Sequence, residues 1–157
     1  ILAGSTFPAD KEEDGENYRE FLEQEIRKLR LENHVSIINK YLSLEDLLRY
    51  INASDICITP YIDAEQVSSG ILSFCVGLNK PVVSTPYLYA KEILNNGRGE
   101  FVEFKNPESI SNCILKLLGN KNRMVEIKSY LTQFREHMRW SNVAKNYIDL
   151  MNKLYKG

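Results

Sequence analysis

One stretch, residues 56–85, limits the architecture more than any other. It opens with the short apolar run Ile56, Cys57, Ile58 and Thr59, ended by Pro60. Such a run reads as a strand buried on both faces, as strands of parallel sheets are. A polar loop follows, and Ser68, Ser69 and Gly70 lead into a segment that is apolar nearly all round. A helix without a wet face has to be covered on every side. Lys80-Pro81 closes it, and Val82, Val83 and Ser84 form the next strand. Strand, buried helix and strand make a βαβ unit, which further parallel strands and helices must complete.

The remaining chain supplies them. Residues 1–4 read as the end of a strand, 35–38 as a second strand and 99–104 as the last. Between them Tyr18, Phe21, Leu22, Ile26 and Leu29 share one helical face, and Leu44, Leu47, Leu48 and Ile51 another. Ser43 with Asp46 marks a capped helix start, and Asn106-Pro107 an N-cap followed by proline at the first helical position. A short helix carries Ala90, Ile93 and Leu94, and Asn96 or Gly97 ends it in a left-handed cap. Ile110, Cys113, Ile114, Leu117 and Leu118 are expected to face the core. Met124, Ile127, Leu131, Phe134 and Met138 line a further helix, and Val143, Tyr147, Leu150, Met151 and Leu154 a final one. The expected fold is α/β: a doubly wound, Rossmann-like parallel sheet of about five strands in one domain, residues 1–157. A chain opening in mid-strand is expected to be a fragment or an expressed subdomain.

Charge narrows the function. With 20 Lys and Arg against 21 Asp and Glu, the formal net charge is −1. That lacks the cationic excess of a nucleic-acid surface. Cys57, Cys75 and Cys113 are scattered through apolar runs, which fits reduced core thiols and neither a disulfide framework nor a zinc site. His34 and His137 are isolated, so no metal is expected and no Ser-His-Asp set can be assembled. No apolar run approaches the roughly 20 residues of a membrane span, and no signal peptide is seen. A cytoplasmic protein without membrane contact is the expectation.

In a doubly wound sheet, ligands bind beyond the carboxyl ends of the strands. The loop from Tyr61 to the helix at Gly70 is the longest and most polar there, the first loop apart. First-turn amides of a helix lack internal partners, and the macrodipole favours an anion beside them. Gly70 would let a ligand reach the backbone without a Cβ in the way. Ser68 and Ser69 could donate to phosphate oxygens, or either could simply be the N-cap of a core helix.

These residues also carry a resemblance. Thr59-Pro60-Tyr61, then Gln66, Ser68, Ser69, Gly70 and Leu72, then Lys80-Pro81-Val82-Val83-Ser84-Thr85-Pro86-Tyr87 resemble a branch of the retaining glycosyltransferases of family 4. Tyr89, Ala90, Glu92, Ile93 and Leu94, followed by Gly97-Arg98-Gly99, continue it. Gly4, Pro8, Gly15, Glu16, Tyr18 and Arg19 match the branch's first loop, with Phe7 where many relatives carry His. The family has the GT-B fold of two Rossmann-like domains, and this chain is similar to the C-terminal, donor-binding one. The resemblance implies a hexosyltransferase using a UDP-, GDP- or ADP-sugar and no other cofactor. It implies an acceptor, for instance a cell-envelope glycan, held by an N-terminal domain. It further implies that an Arg and a Lys from a strand–helix unit before Ile1 serve the diphosphate, so that this fragment alone is inactive.

By the same resemblance the diphosphate would rest on the amides of Ser69, Gly70, Ile71 and Leu72, with the Ser68 and Ser69 hydroxyls assisting. Tyr61 and Thr85, at the strand ends, join this set. Gln66 would reach the sugar, Glu92 would contact the sugar or the domain interface, and Tyr41 and Leu42 would wall the nucleobase. Many family members carry two glutamates seven residues apart, and those positions fall near Gln66 and Phe74 here. Gln66 can still bind hydroxyls, since an amide both donates and accepts. Glu92 also reads as an exposed early-helix acid, Arg98 as a solvated turn residue, and one of Tyr87 and Tyr89 as packing. Two other readings stay open: half of a nucleotide-sugar epimerase, and a non-catalytic, flavodoxin-like regulatory domain. The first usually shows Ser-Gly-Gly and acids at the helix mouth. The second would favour an Asp where Pro60-Tyr61 stands.

Overall fold

The computed structural model describes residues 1–5 and 17–155 of the chain. Phe7, Pro8, the acidic stretch 10–14, Gly15 and Glu16 lie outside the described residues. The chain divides into two compact units, Ile1–Leu47 and Leu48–Gly157.

The first unit holds β1 (Leu2–Ala3), α1 (Asn17–Lys28) and β2 (Ile37–Ile38). β1 and β2 pair in parallel, with Leu2 opposite Ile37. An Arg19–Glu23 ion pair one turn apart supports α1. Tyr18 and Phe21, on its apolar stripe, are exposed and stack with ring centroids 6.2 Å apart. The start of α2 (Leu44–Ala53) is capped as expected, the Ser43 hydroxyl accepting from the Asp46 amide at 3.1 Å.

The second unit is built on β3 (Cys57–Thr59), β4 (Val82–Ser84) and β5 (Glu100–Phe101), all parallel with β4 in the middle. Val82, Val83 and Ser84 are wholly buried, which is why an unbroken apolar run was needed there. Each fully buried valine contributes about 1.5–3 kcal/mol. Between β3 and β4 lies α3 (Gly70–Gly77). Leu72, Cys75 and Val76 give it a wholly buried face. Its other flank, with Ser73, Phe74 and Gly77, is not sealed and lines a groove described below.

The later elements are α4 (Leu88–Leu94), α5 (Pro107–Leu118), α6 (Lys121–Phe134), a 3-10 turn at Arg135–Met138 and α7 (Trp140–Tyr155). Ala90, Ile93 and Leu94 of α4 are buried as expected. Both Asn96 (φ 54°) and Gly97 (φ 79°) take the left-handed conformation that ends it. Asn106 caps α5 by accepting from Ser109, with Pro107 in the first turn. Ile127 and Leu131 of α6 are wholly buried.

The class is therefore α/β, and among the described residues all strand pairing is parallel, five strands falling into a two-stranded and a three-stranded ladder. Some expectations need correction. The first, second and last strands are two residues each; the last ends at Phe101, the Val102 amide bonding to the Ser84 carbonyl just beyond it. Leu118 is 56% exposed although Leu117 is buried; one step along a helix turns a side chain by about 100°. Tyr147, Leu150, Met151 and Leu154 of α7 form the expected stripe, but each is more than half exposed.

Arg98 is no solvated turn residue. Its guanidinium lies 3.9 Å from the centre of the Phe134 ring and donates to the carbonyls of Ile93 and Glu92 and to the Asn95 side chain. It thus takes up carbonyls left open at the end of α4. Burial pulls its pKa down from the ordinary arginine value.

Candidate functional site

The mouth of α3 is built from one serine and one glycine with different tasks. Ser69 has extended backbone (φ −154°, ψ 109°) and is the N-cap. Its hydroxyl accepts from the Leu72 amide at 3.2 Å, and its carbonyl accepts from the Ser73 amide at 3.1 Å. It is only 7% exposed. Two first-turn amides remain. Among the described residues, neither the Gly70 nor the Ile71 N–H donates to a protein acceptor. These are the groups on which the positive end of the helix dipole is concentrated.

Gly70 is not there for packing or for backbone freedom. A Cβ added to it would meet nothing within 4 Å, and its φ lies outside the left-handed region. Gly97 is the contrast: φ is +79°, and a Cβ would lie 3.2 Å from the Tyr130 ring. Gly70 is exposed with open space where a Cβ would stand, and its neighbour Ser68 is exposed too.

The loop leading to this mouth is held from several sides. The buried Thr85 hydroxyl donates to the Tyr61 carbonyl at 2.6 Å. The Thr59 hydroxyl donates to Ser84 Oγ at 2.9 Å, tying β3 to β4 just below. The amides of Leu88 and Tyr89 donate to the carbonyls of Ala64 and Gln66. The N-terminus of α4 therefore clamps the loop and is not free for an anion. Asp63 accepts from the Glu65 amide, and Gln66 Nε2 donates to the Ser68 carbonyl at 2.8 Å. Tyr61 leans edge-on against Tyr87, with centroids 5.2 Å apart, and its hydroxyl lies 3.5 Å from Ser69 Oγ. Tyr87 is the packing tyrosine, wholly buried.

Tyr61, Gln66, Ser68, Ser69, Gly70, Ile71, Leu72 and Thr85 are thus drawn around one loop and one helix mouth. Leu72 presents a wholly buried side chain, and its amide is occupied by Ser69. Glu92 stands apart from this group. It is exposed on α4 and lines the groove along the open flank of α3 with Ser73 and Tyr89, whose hydroxyls are 2.8 Å apart. Tyr41 and Leu42 belong to the first unit, in the loop after β2, Tyr41 being 89% exposed. The Ser73–Tyr89 pair joins two elements sixteen residues apart, for which no local pattern exists.

The fold also brings two of the scattered cysteines together. Cys57 of β3 and Cys75 of α3 lie close enough for each thiol to shift the other's titration. The Cys75 thiol, with lesser help from Ser54 Oγ at 3.3 Å and the Lys80 charge, holds Cys57 below the ordinary thiol value against the opposing effect of burial. Cys75 is pushed far upward in return. Among the described residues, no group of three or more His, Cys, Asp or Glu could hold a metal ion, and no helix is long and apolar enough to cross a membrane.

Comparison with known proteins agrees with the fold. The family model described as glycosyl transferases group 1 matches residues 1–134. The HepE protein of Anabaena, solved in complex with UDP, superposes with a TM-score of 0.79 at 20% identity, over 100% of this chain and 40% of its own. Sucrose-phosphate synthase from Thermosynechococcus elongatus gives 0.72 at 15% identity, over 99% and 38%. The C-terminal domain of a group 1 family glycosyl transferase, LpcC from Francisella tularensis, gives 0.67 at 16%, over 82% and 63%. The chain thus spans about two fifths of the length of the first two. At these identities the likeness concerns the fold, the Rossmann-like half of a GT-B protein. No protein of curated function matches the sequence.

Proposed function

The chain belongs to the glycosyl transferases of group 1, and we propose that it is the half of such an enzyme that holds a nucleotide-diphosphate sugar. The observation that carries this is the pair of unpartnered amides at Gly70 and Ile71, under a glycine whose missing Cβ neither packing nor backbone requires. A diphosphate oxygen set there meets two N–H donors and the positive end of a helix. Ser68 supplies a hydroxyl from solvent, and the Tyr61 hydroxyl stands beside the cap. Ser69 and Thr85 act as positioning residues, one by ordering the first turn and the other by holding the Tyr61 backbone. Gln66, released from the Ser68 carbonyl, contacts the donor sugar. HepE, which shares this fold, binds UDP.

The reaction proposed is that of the retaining enzymes of family 4: a hexosyl group leaves the diphosphate and reaches an acceptor with its anomeric configuration kept. This half contributes chiefly position and charge. Holding the donor fixed removes much of the entropic cost of reaction, and amides aimed at the diphosphate stabilise the charge that develops on it as the glycosidic bond breaks. An N-terminal domain holds the acceptor, for which a cell-envelope glycan is the reading. The 157-residue chain alone then binds nucleotide without turnover. No metal and no further cofactor enters the scheme.

Thermal unfolding with UDP, GDP and ADP tests this. Ligand binding to the folded state raises Tm by mass action. One nucleotide should raise Tm in the parent and leave Gly70→Asp unmoved, since a carboxylate would then occupy the anion's place. Equal shifts in both proteins would remove the α3 mouth from the scheme.

A further inference from the structure

The groove along the open flank of α3 calls for its own explanation. It has a volume of about 890 Å³ and runs between α3, α4, the 3-10 turn and the start of α7. That is the size of pockets that enclose small ligands. Its lining includes the paired hydroxyls of Ser73 and Tyr89 and the side chain of Glu92. Arg135 and the aromatic residues Phe134 and Trp140 line it as well. Trp140 is 86% exposed, an unusual place for the chain's single tryptophan. Arg135 lines the groove, and among the described residues its side chain makes no hydrogen bond or ion pair. A guanidinium without an acceptor, beside a roomy pocket, is where an external oxyanion can pair. The neighbouring Arg139 differs, its Nε being paired with Glu136 at 3.0 Å.

We propose that this groove binds a saccharide bearing an anionic group. The sugar ring lies against Trp140, its hydroxyls meet Ser73, Tyr89 and Glu92, and its carboxylate or phosphate reaches Arg135. Each contact uses a feature already present. A flat indole covers the apolar face of a ring while polar groups around it take the hydroxyls. A guanidinium matches an oxyanion with two parallel N–H bonds. A neutral oligosaccharide would leave the Arg135 guanidinium unpaired, and a bare anion would leave the aromatic side chains uncovered. The inference rests on reading the chain as a glycosyltransferase and assigns this groove part of the acceptor, away from the mouth of α3.

The single tryptophan supplies the readout. Intrinsic fluorescence of the full chain is followed on titration with trigalacturonate, maltotriose and inorganic phosphate. The expected result is a saturable change with trigalacturonate in the millimolar range, with maltotriose and phosphate each about tenfold weaker or worse. Arg135→Ala should weaken the trigalacturonate response by about tenfold or more, and Arg135→Lys should recover part of it. Should Arg135→Ala melt early, Trp140→Ala, a change at an exposed side chain, is read by ligand-observed NMR and should lose the contact. No saturable response in the parent, an equal response to maltotriose, or full binding by Trp140→Ala would overturn the assignment. Nucleotide shifts of Tm measured on the same samples separate the two claims. A lost saccharide response with the nucleotide shift intact overturns the groove alone, and a lost nucleotide shift with the saccharide response intact overturns the α3 reading alone.

Discussion

Replacing Ser69 with alanine removes the acceptor that holds the Leu72 amide at 3.2 Å. Loss of an N-cap costs about 0.5–2 kcal/mol. Leu72 is wholly buried, so its stranded N–H is poorly hydrated and the cost should fall in the upper part, about 1–2 kcal/mol. For a domain of this size, 1 kcal/mol moves Tm by about 2–4 °C, which gives a fall of about 2–8 °C. Ser69→Asp keeps an acceptor at the cap and should recover most of that loss, yet it sets a negative charge at the anion's place and should weaken UDP binding. Ser68 is exposed, so Ser68→Ala should stay within about 0.5 kcal/mol of the parent while weakening UDP binding about fivefold, the equivalent of one hydrogen bond. The assays are thermal unfolding followed by circular dichroism, and nucleotide titration at fixed ionic strength. Equal losses of Tm for Ser68→Ala and Ser69→Ala would refute the division of labour, as would a Ser69→Ala protein as stable as the parent.

Three further outcomes follow from the geometry. Gly97→Ala should lose about 1–2 kcal/mol in urea unfolding, the cost of a left-handed non-glycine residue, whereas Gly70→Ala should not destabilise the chain; a loss as large at Gly70 would mean that packing, not ligand access, explains that glycine. Arg98→Ala should cost about 1–3 kcal/mol through the stacked Phe134 ring and the bare carbonyls at the end of α4, and Arg98→Lys should recover little because an ammonium lacks the planar fork. The Cys57 thiol is held below its ordinary value, whereas burial raises Cys113. Iodoacetamide labelling at Cys57 should therefore rise at lower pH than labelling at Cys113; coincident profiles, or the reverse order, would contradict this.

The central unit was legible because its signals are local and agree with one another. The run ended by Pro60, the apolar helix and the buried Val82-Val83-Ser84 strand each specify the same βαβ arrangement. Asn106-Pro107, Ser43 and Asn96-Gly97 fell where capping chemistry put them. Periodicity identified the apolar faces of α5 and α7 but not their cover, so the exposure of Leu118 and of the α7 stripe could not be read from spacing. Strand length was overestimated at residues 99–104 because alternation continues past the last ladder bond. At the site, Gly70 and the serines were visible, but which serine caps the helix depends on backbone angles. The pairings of Ser73 with Tyr89, Cys57 with Cys75 and Arg98 with Phe134 join positions far apart in the chain and have no sequence signature.

The most direct measurement is a proton–nitrogen NMR titration of the assigned chain with UDP, repeated on Gly70→Asp. Nucleotide seated at the mouth of α3 should shift the Gly70 and Ile71 amides first and furthest. The Leu72 amide, already bonded to Ser69, should move less, and Gly70→Asp should abolish the response. Unmoved Gly70 and Ile71 amides at saturating nucleotide, or an undiminished response in Gly70→Asp, would contradict the account.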